Sequence, residues 1–511
     1  MIGLSTVLEP QSAETGGAPV RDVRVAIIGA GFGGLGTAIR LRDEGVEDFV
    51  VLERATEVGG TWRENTYPGC ACDVPSTLYS FSFALNPDWS RFFAPQREIL
   101  DYLRRTARER GVDDHIVFDA EVRSAKWDES DQRWLIDTKA GAFRAHALVV
   151  AAGPLSEPSV PEIDGLGEFR GKIFHSAHWD HDHSLKGERV AVIGTGASAA
   201  QFIPHVQADA SRLDVYQRTP GWIMPLMDRE IGPRQRRLFR RVPLAQRALR
   251  AFIYYLAESL VVGLVINKRV LSLPEAIARR KLRRAVPDAS LRAKLSPDYR
   301  IGCKRIIFSD DYLPALAQPN VELVTETIER VDAEGVVTSD GRHRAVDTII
   351  LGTGFKVWTG NTADIIIGRG GETLNDAWAQ DGPQAYVGTV VAGFPNLFYL
   401  IGPNTGLGNN SMINIIEAQI VFLIEALRGI ETSGAGSIEV RREVQDRYNT
   451  GIQQRMQGTV WTSGGCKSWY LVANGSNRTL WPWFSDAFKR RLARFELGDF
   501  EVVPARVRAD A

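Results

Sequence analysis

Cysteine is scarce: Cys70, Cys72, Cys303 and Cys466 are the four in 511 residues. So few cannot form a dense disulfide scaffold, and a reduced, cytoplasmic setting suits them best. Net charge is almost absent, with 61 Lys plus Arg against 62 Asp plus Glu for a formal −1. Neutralising a phosphate backbone needs a basic excess, so nucleic acid is not expected as a partner. No basic segment leading into an apolar run opens the chain. Residues 1–20 carry Glu9 and Glu14 and read as a flexible tail, not a secretory signal. Long apolar runs are missing as well. The best candidate, AFIYYLAESLVVGLVI at 251–266, has 16 residues and contains Glu258. A spanning helix needs about 20 apolar residues, so no spanning segment is expected. Arg247, Arg250, Lys268 and Arg269 flank this run. Such flanks are compatible with a membrane surface, but the expectation is a buried helix of a helical subdomain.

The chain does have the apolar and charged shares of an ordinary globular protein, 44% and 24%, which excludes a disordered or fibrous chain. At about 100–200 residues per domain, its length predicts roughly three domains. Its 48 glycines exceed the average of about 7% and point to tight turns where backbone approaches a ligand.

Residues 23–28, VRVAII, form an apolar, β-branched run that predicts a buried parallel strand. GAGFGGLG follows at 29–36, then a helical pattern over 35–45. In this strand–loop–helix setting, Gly29-x-Gly31-x-x-Gly34 is a dinucleotide fingerprint. Gly29 allows the tight turn, Gly31 lets backbone approach a pyrophosphate, and Gly34 lets helix and strand pack closely. The helix N-terminus then offers free N–H groups to the phosphates. A second strand at 48–52 ends at Glu53, 24 positions beyond Gly29, where an acid would bind ribose hydroxyls.

The unit recurs. The strand 189–193 precedes Gly194-Thr195-Gly196-Ala197-Ser198-Ala199, the alanine-ended variant, and the strand 213–216 leads to Arg218-Thr219. Arg218 stands at the same offset from Gly194 as Glu53 from Gly29. An acid repels a 2′-phosphate, whereas an arginine holds it with a fork of hydrogen bonds. The first site is therefore read as taking FAD and the second as preferring NADPH over NADH. Two such sites in one chain imply hydride transfer from nicotinamide to flavin. Cys70-x-Cys72 has a one-residue spacer, unlike the two-residue redox motif, so a dithiol acceptor is not expected.

Two further segments carry a family signature. FRGKIFHSAHWD at 169–180 places Phe169, Gly171, His175, Trp179 and Asp180 in one fixed pattern. GGTWRENTYPGCACD at 59–73 places Gly59, Gly60, Trp62, Tyr67, Pro68, Gly69 and Asp73 in another. Together with the two glycine loops they resemble the type I Baeyer–Villiger monooxygenases over residues 23–483. The resemblance implies an NADPH- and O₂-dependent enzyme in which a flavin peroxide attacks a ketone and leaves an ester or lactone. Arg305, in IGCKRIIFSDDY, would then supply the positive charge beside the flavin, held by Asp73. Lys304 would meet the NADP 2′-phosphate. Gly60, Thr61 and Trp62 would belong to the flavin site. The loop Gly402-Pro403-Asn404 would lie by the isoalloxazine, ahead of a helix from about Met412 whose start favours reduced flavin. Trp469 would line the substrate pocket. Flavin monooxygenases of amines and sulfides share the glycine loops but lack the 59–73 pattern, and an assay of ester against sulfoxide separates the two activities. Rapid NADPH oxidation coupled to ketone loss would dismiss a non-enzymatic redox sensor.

The cluster HSAHWDHDH at 175–183 lacks thiolate neighbours and the helical His-x-x-x-His spacing, so it reads as a polar linker, not a metal site. Arginines stud 234–250 and 279–284 as solvated helix faces. The expected architecture is α/β, two Rossmann-like domains with an inserted helical subdomain. Residues 21–155 and 385–511 would form the FAD domain. Residues 156–222 and 303–384 would form the NADP domain, and 223–302 the insert. Oligomeric state and the identity of the ketone are left open.

Overall fold

A computed structural model of the chain describes residues 20–358 and 361–506. Apolar β-branched runs build two sheets. In the first, Arg21–Ile28 lies between Phe49–Leu52 and Gly141–Val150, all parallel. Ile116–Val117 extends one side, Leu397–Tyr399 also pairs with Gly141–Val150, and an antiparallel ribbon of Arg133–Thr138 and Val122–Asp128 continues the other. The second sheet is wholly parallel. Its order is Val321–Val324, Arg212–Tyr216, Arg189–Ile193, Thr348–Leu351, Lys172–His175. The strands at both sheet centres are fully buried (Val25, Ala26 and Ile27; Val190, Ala191 and Val192 at 0% exposure), which is why they read as continuous apolar runs and not as alternating ones.

In both sheets the strand before the glycine loop pairs with the next strand of its nucleotide unit on one side and with a strand from much later in the chain on the other. That is the topological switch point, where a crevice opens beyond the strand ends. The helices that follow, Phe32–Asp43 and Ala197–Asp209, begin at Gly31 and Gly196. The first thus starts three residues earlier than its apolar pattern suggests, because its opening turn is glycine that no hydrophobic period marks. The chain also rejoins the first sheet before residue 385. Ile366–Ile367 pairs with Val122–Asp128, and Leu374 and Trp378 pack in the same core as Trp127 and Trp134.

The insert holds helices Pro233–Arg241, Pro243–Val261, Ser272–Ala285 and Ala289–Lys294. The long apolar helix is not the buried one expected. Phe252, Tyr255 and Leu256 are 65%, 63% and 60% exposed. Its inner face is instead pinned by polar groups: Glu258 accepts from Asn410 Nδ2 at 2.8 Å and Ser485 N at 2.7 Å, and Tyr254 donates to Asp486 at 2.8 Å. The expectation of reduced cysteines is corrected in part: Cys303 and Cys466 form a disulfide, while Cys70 and Cys72 are free and buried. Sequence spacing gave no sign of a pair separated by 163 residues.

Candidate active site

Neither phosphate-loop helix is capped by a side chain, and neither has an acid in its first turn. Their first N–H groups and positive dipole ends are therefore left for an anion. The helix Met412–Ser433, by contrast, is capped by Ser411. The two loops are built by the same contacts. Gly29 has φ +98°, and a Cβ there would stand 2.9 Å from Ala151 O; Gly194 has φ +111°, and a Cβ would stand 2.3 Å from Gly352 O. Each turn thus packs against the end of a neighbouring strand. At Gly34 a Cβ would fall 1.8 Å from Gly29 O, so helix and loop touch backbone to backbone.

Gly31 faces Gly60, where a Cβ would come within 3.1 Å of Gly31 Cα. This contact sets the turn Gly60-Thr61-Trp62 against the first phosphate loop. Trp62 is buried and donates to Tyr79 OH at 3.1 Å. Glu53, also buried, takes Ala30 N at 2.7 Å on one oxygen and Ala55 N and Arg63 Nη1 at 3.0 and 3.1 Å on the other. The carboxylate is thereby fixed at the end of its strand, with lone pairs left for ribose hydroxyls.

The second loop has the opposite electrostatics. Arg218 is exposed and, among the described residues, has no carboxylate partner. Lys304 has its pKa lowered by burial and by the nearby Arg218 charge, and its ammonium stands 5.3 Å from the Tyr299 ring centroid. Two cations held together with little acid between them suit a phosphate monoester. Thr195, Ser198 and Thr219 are half-buried along the same edge.

The two fingerprints join the sheets. The Tyr67 hydroxyl lies against Ser198 and donates to Gln201 Oε1 at 3.0 Å. Gln201 Nε2 in turn donates to Ala71 O at 2.9 Å. Trp179 packs on Phe174 and Phe202, with centroids 5.1 and 5.3 Å apart, and Tyr67 closes on Phe202 at 5.9 Å. Gly69 is glycine because a Cβ would sit 2.7 Å from Gln201 O. The histidines scatter to separate partners: His175 to Ala177 N, His181 to Thr66, His183 to Glu188 and Thr348. Burial pushes the Cys70 thiol up to about 12 and the Cys72 thiol well above its ordinary range, which leaves little thiolate for redox exchange.

Arg305 meets Asp73 across the chain, Nη2 donating to both carboxylate oxygens at 2.6 and 2.5 Å. Asp73 holds the guanidinium pKa above its ordinary value. The arginine side chain is nonetheless 46% exposed, so its charge is fixed in place but still open to a ligand. Tyr470 is buried, and its hydroxyl, with a pKa raised by burial to about 12, feels both Arg305 and Asp73. Its neighbour Trp469 is 51% exposed and leans on it, the ring centroids 4.6 Å apart and the planes inclined by 58°. Asn404 has φ +56° and is buried. Its Nδ2 donates to Asn477 O and Leu480 O, both at 2.9 Å, while its Oδ1 has no partner among the described residues. A buried carboxamide held in this way presents an acceptor to a bound polar ring. The backbone-lined cradles, this acceptor and the fixed cation fit a flavin and a phosphorylated nicotinamide dinucleotide.

Sequence reasoning missed Gln201, Tyr470 and Arg63. Arg63 lies inside the 59–73 fingerprint and Tyr470 follows Trp469. Gln201 carries no local signal, because its role exists only once the sheets meet.

Two nucleotide crevices of opposite charge, joined through aromatic and amide contacts, define a flavoprotein that draws hydride from a nicotinamide dinucleotide. The flavin-binding monooxygenase-like family model matches residues 22–360. A Baeyer–Villiger monooxygenase of Streptomyces coelicolor is 48% identical over 493 residues, 96% of this chain and 95% of that protein. Among solved structures, an oxidised steroid monooxygenase bound to NADP aligns with TM-score 0.83 at 31% identity, over 94% of this chain and 99% of that one. A complex of OTEMO with FAD and NADP aligns with TM-score 0.85 at 27% identity, over 94% and 99%. The chain belongs to the flavin-binding monooxygenases, in their Baeyer–Villiger group. FAD and NADP(H) are its cofactors and it is an oxidoreductase.

Proposed function

We propose that the enzyme inserts one oxygen atom from O₂ beside a ketone carbonyl and releases an ester or lactone, using NADPH. The observation that carries this reading is the Arg305–Asp73 pair. A bound FAD would supply the redox chemistry, accepting hydride from NADPH and activating O₂, the source of the inserted oxygen atom. The protein's part is electrostatic. Negative charge grows on oxygen during attack on the carbonyl, and Arg305 offers a charge that persists at any working pH. Asp73 keeps the guanidinium aimed, so no reorganisation is needed as the charge develops. Arg218 and Lys304 select NADPH through its 2′-phosphate. Glu53 and the Gly60-Thr61-Trp62 turn hold the flavin nucleotide, and Trp469 borders the substrate. The half-open Arg305 is shielded from water when cofactor and ketone cover it. The sheet memberships support two nucleotide domains interrupted by the 223–302 insert, with the return to the flavin domain near residue 360.

The test is a panel of linear, cyclic, aromatic and steroidal ketones with the yellow, FAD-loaded protein, tracking NADPH and ester together. Arg305→Ala should still oxidise NADPH and lose about 10²–10³-fold in ester formation. Normal ester yield from that variant would refute the role of Arg305. Sulfoxide in place of ester from the wild type would refute the ketone reading.

A further inference from the structure

The insert carries the most uneven charge in the chain. Residues 231–287 hold fourteen Lys and Arg but only two acids, a net +12, so the rest of the chain carries −13 beneath a whole-chain total of −1. Both acids, Glu258 and Glu275, are buried. Glu258 is spent on Asn410 and Ser485, and Glu275 faces Arg300, Arg279 and Ile301 N. Arg240 and Lys281 are relieved by Asp88 and Asp310 from outside the segment, but the surface as a whole stays strongly cationic. Arg237, Arg241, Arg247, Arg280, Arg283 and Arg284 are exposed and, among the described residues, have no carboxylate partner.

An exposed apolar stripe runs through these cations. Along the helix Pro243–Val261, Leu244, Phe252, Tyr255 and Leu256 are 70%, 65%, 63% and 60% exposed. Their spacing, with Ala248, Ala251 and Val262, places them on one face at 3.6 residues per turn. The opposite face, Gln246, Ile253, Tyr254, Glu258 and Val261, is buried. Apolar exposure continues beyond the turn at Ile266, Val270, Leu273 and Ile277. A soluble helix is expected to show the reverse arrangement, apolar face inward.

We infer that this face is a docking surface for an anionic lipid bilayer, on which the helix lies flat. Cations beside an apolar stripe match acidic headgroups beside acyl chains, and each basic group near such a surface adds to the attraction. The alternative occupant, a second copy of the chain, would bring two strongly cationic surfaces together. Crossing the bilayer is also disfavoured. The 24-residue helical stretch Pro243–Ile266 is long enough, but its inner face is hydrogen-bonded to the flavin domain through Glu258, Tyr254 and Arg250.

The experiment is flotation of the FAD-loaded enzyme with vesicles of phosphatidylglycerol and phosphatidylcholine, compared with phosphatidylcholine alone. The wild type should float with the anionic vesicles and bind neutral ones at least tenfold less. Phe252→Ser/Leu256→Ser should cut binding at least tenfold, and Arg280→Glu/Arg283→Glu/Arg284→Glu should do the same. All five positions are exposed, and unchanged NADPH oxidation would report an intact fold. No flotation of the wild type with anionic vesicles overturns the inference. So does equal binding to both vesicle types. A dimer by light scattering that Phe252→Ser/Leu256→Ser converts to monomer, with no flotation, overturns it in favour of self-association.

Discussion

Arg218 and Lys304 lie far apart in the chain and meet at one place. The first follows a strand end at a fixed offset from a glycine; the second neighbours Arg305. Their mutual influence is visible in the lowered Lys304 pKa. Each charged hydrogen bond to a phosphate contributes about 1.5–3 kcal/mol, so Arg218→Ala should weaken NADPH binding about 10–100-fold and leave NADH nearly unchanged. Steady-state KM values for both coenzymes check this, and an unaltered NADPH/NADH ratio would remove Arg218 from the site. Lys304 adds a pH signature. Its ammonium is charged below its pKa and neutral above it, and that pKa lies below the ordinary lysine value. Affinity for NADPH should therefore fall as pH rises, earlier on the alkaline side than a free lysine would allow. Lys304→Arg should abolish that alkaline loss, because arginine stays protonated. At this scale the sequence was legible where the requirement is local. Gly29, Gly34 and Gly194 declare themselves because backbone needs no partner to be recognised. The pairing of Arg305 with Asp73, 232 residues apart, has no local trace and was reached only through the resemblance to a family. Gln201 was not reached at all.

Helices and loops separate two reasons for being glycine. At Gly34 a Cβ collides with Gly29 O, so Gly34→Ala damages the protein itself. At Gly31 the nearest atom to a Cβ is Gly60 Cα at 3.6 Å, an ordinary contact. On the proposed reading that space admits a pyrophosphate against the loop backbone, and packing does not require it. Gly31→Ala should therefore fold with a wild-type circular dichroism spectrum but lose most bound FAD. Gly34→Ala should lower the thermal midpoint and the soluble yield as well. Equal FAD content in Gly31→Ala and wild type would show that the loop does not touch the pyrophosphate. The same scale exposes what periodicity cannot tell. The run at 251–266 is amphipathic, and its pattern does not say which face points inward. The inner face was chosen by Tyr254 and Glu258 through hydrogen bonds to Asp486, Asn410 and Ser485, residues more than 150 positions away in sequence.

At the scale of the whole molecule, the start of the second NADP-domain segment, just past the insert, is tied to the C-terminal third beside Arg305, the proposed catalytic cation. Cys303 opens the segment Cys303-Lys304-Arg305, and Cys466 precedes Trp469 and Tyr470 in the loop that borders Arg305. The bridge closes a span of 163 residues, so cutting it restores much conformational freedom to the unfolded chain, an effect of about 2–5 kcal/mol in typical cases. In a chain of several domains a single unfolding free energy is ill-defined, and local opening is the better readout. The loop 464–477 contains no helix and is held by turn bonds such as Leu471 N to Ser468 O and Gly475 N to Val472 O, the kind of segment that opens before packed helices and strands do. Cys466→Ser should accelerate proteolytic cleavage within that loop several-fold while cleavage elsewhere is unchanged. Reducing the wild type with dithiothreitol should reproduce the effect, and dithiothreitol should add nothing to Cys466→Ser. Because Tyr470 and Arg305 share an electrostatic environment, the same variant should also raise the KM for ketone more than that for NADPH. Cleavage kinetics identical in wild type, reduced wild type and Cys466→Ser would mean that the loop is held by its buried Tyr470 and not by the bridge.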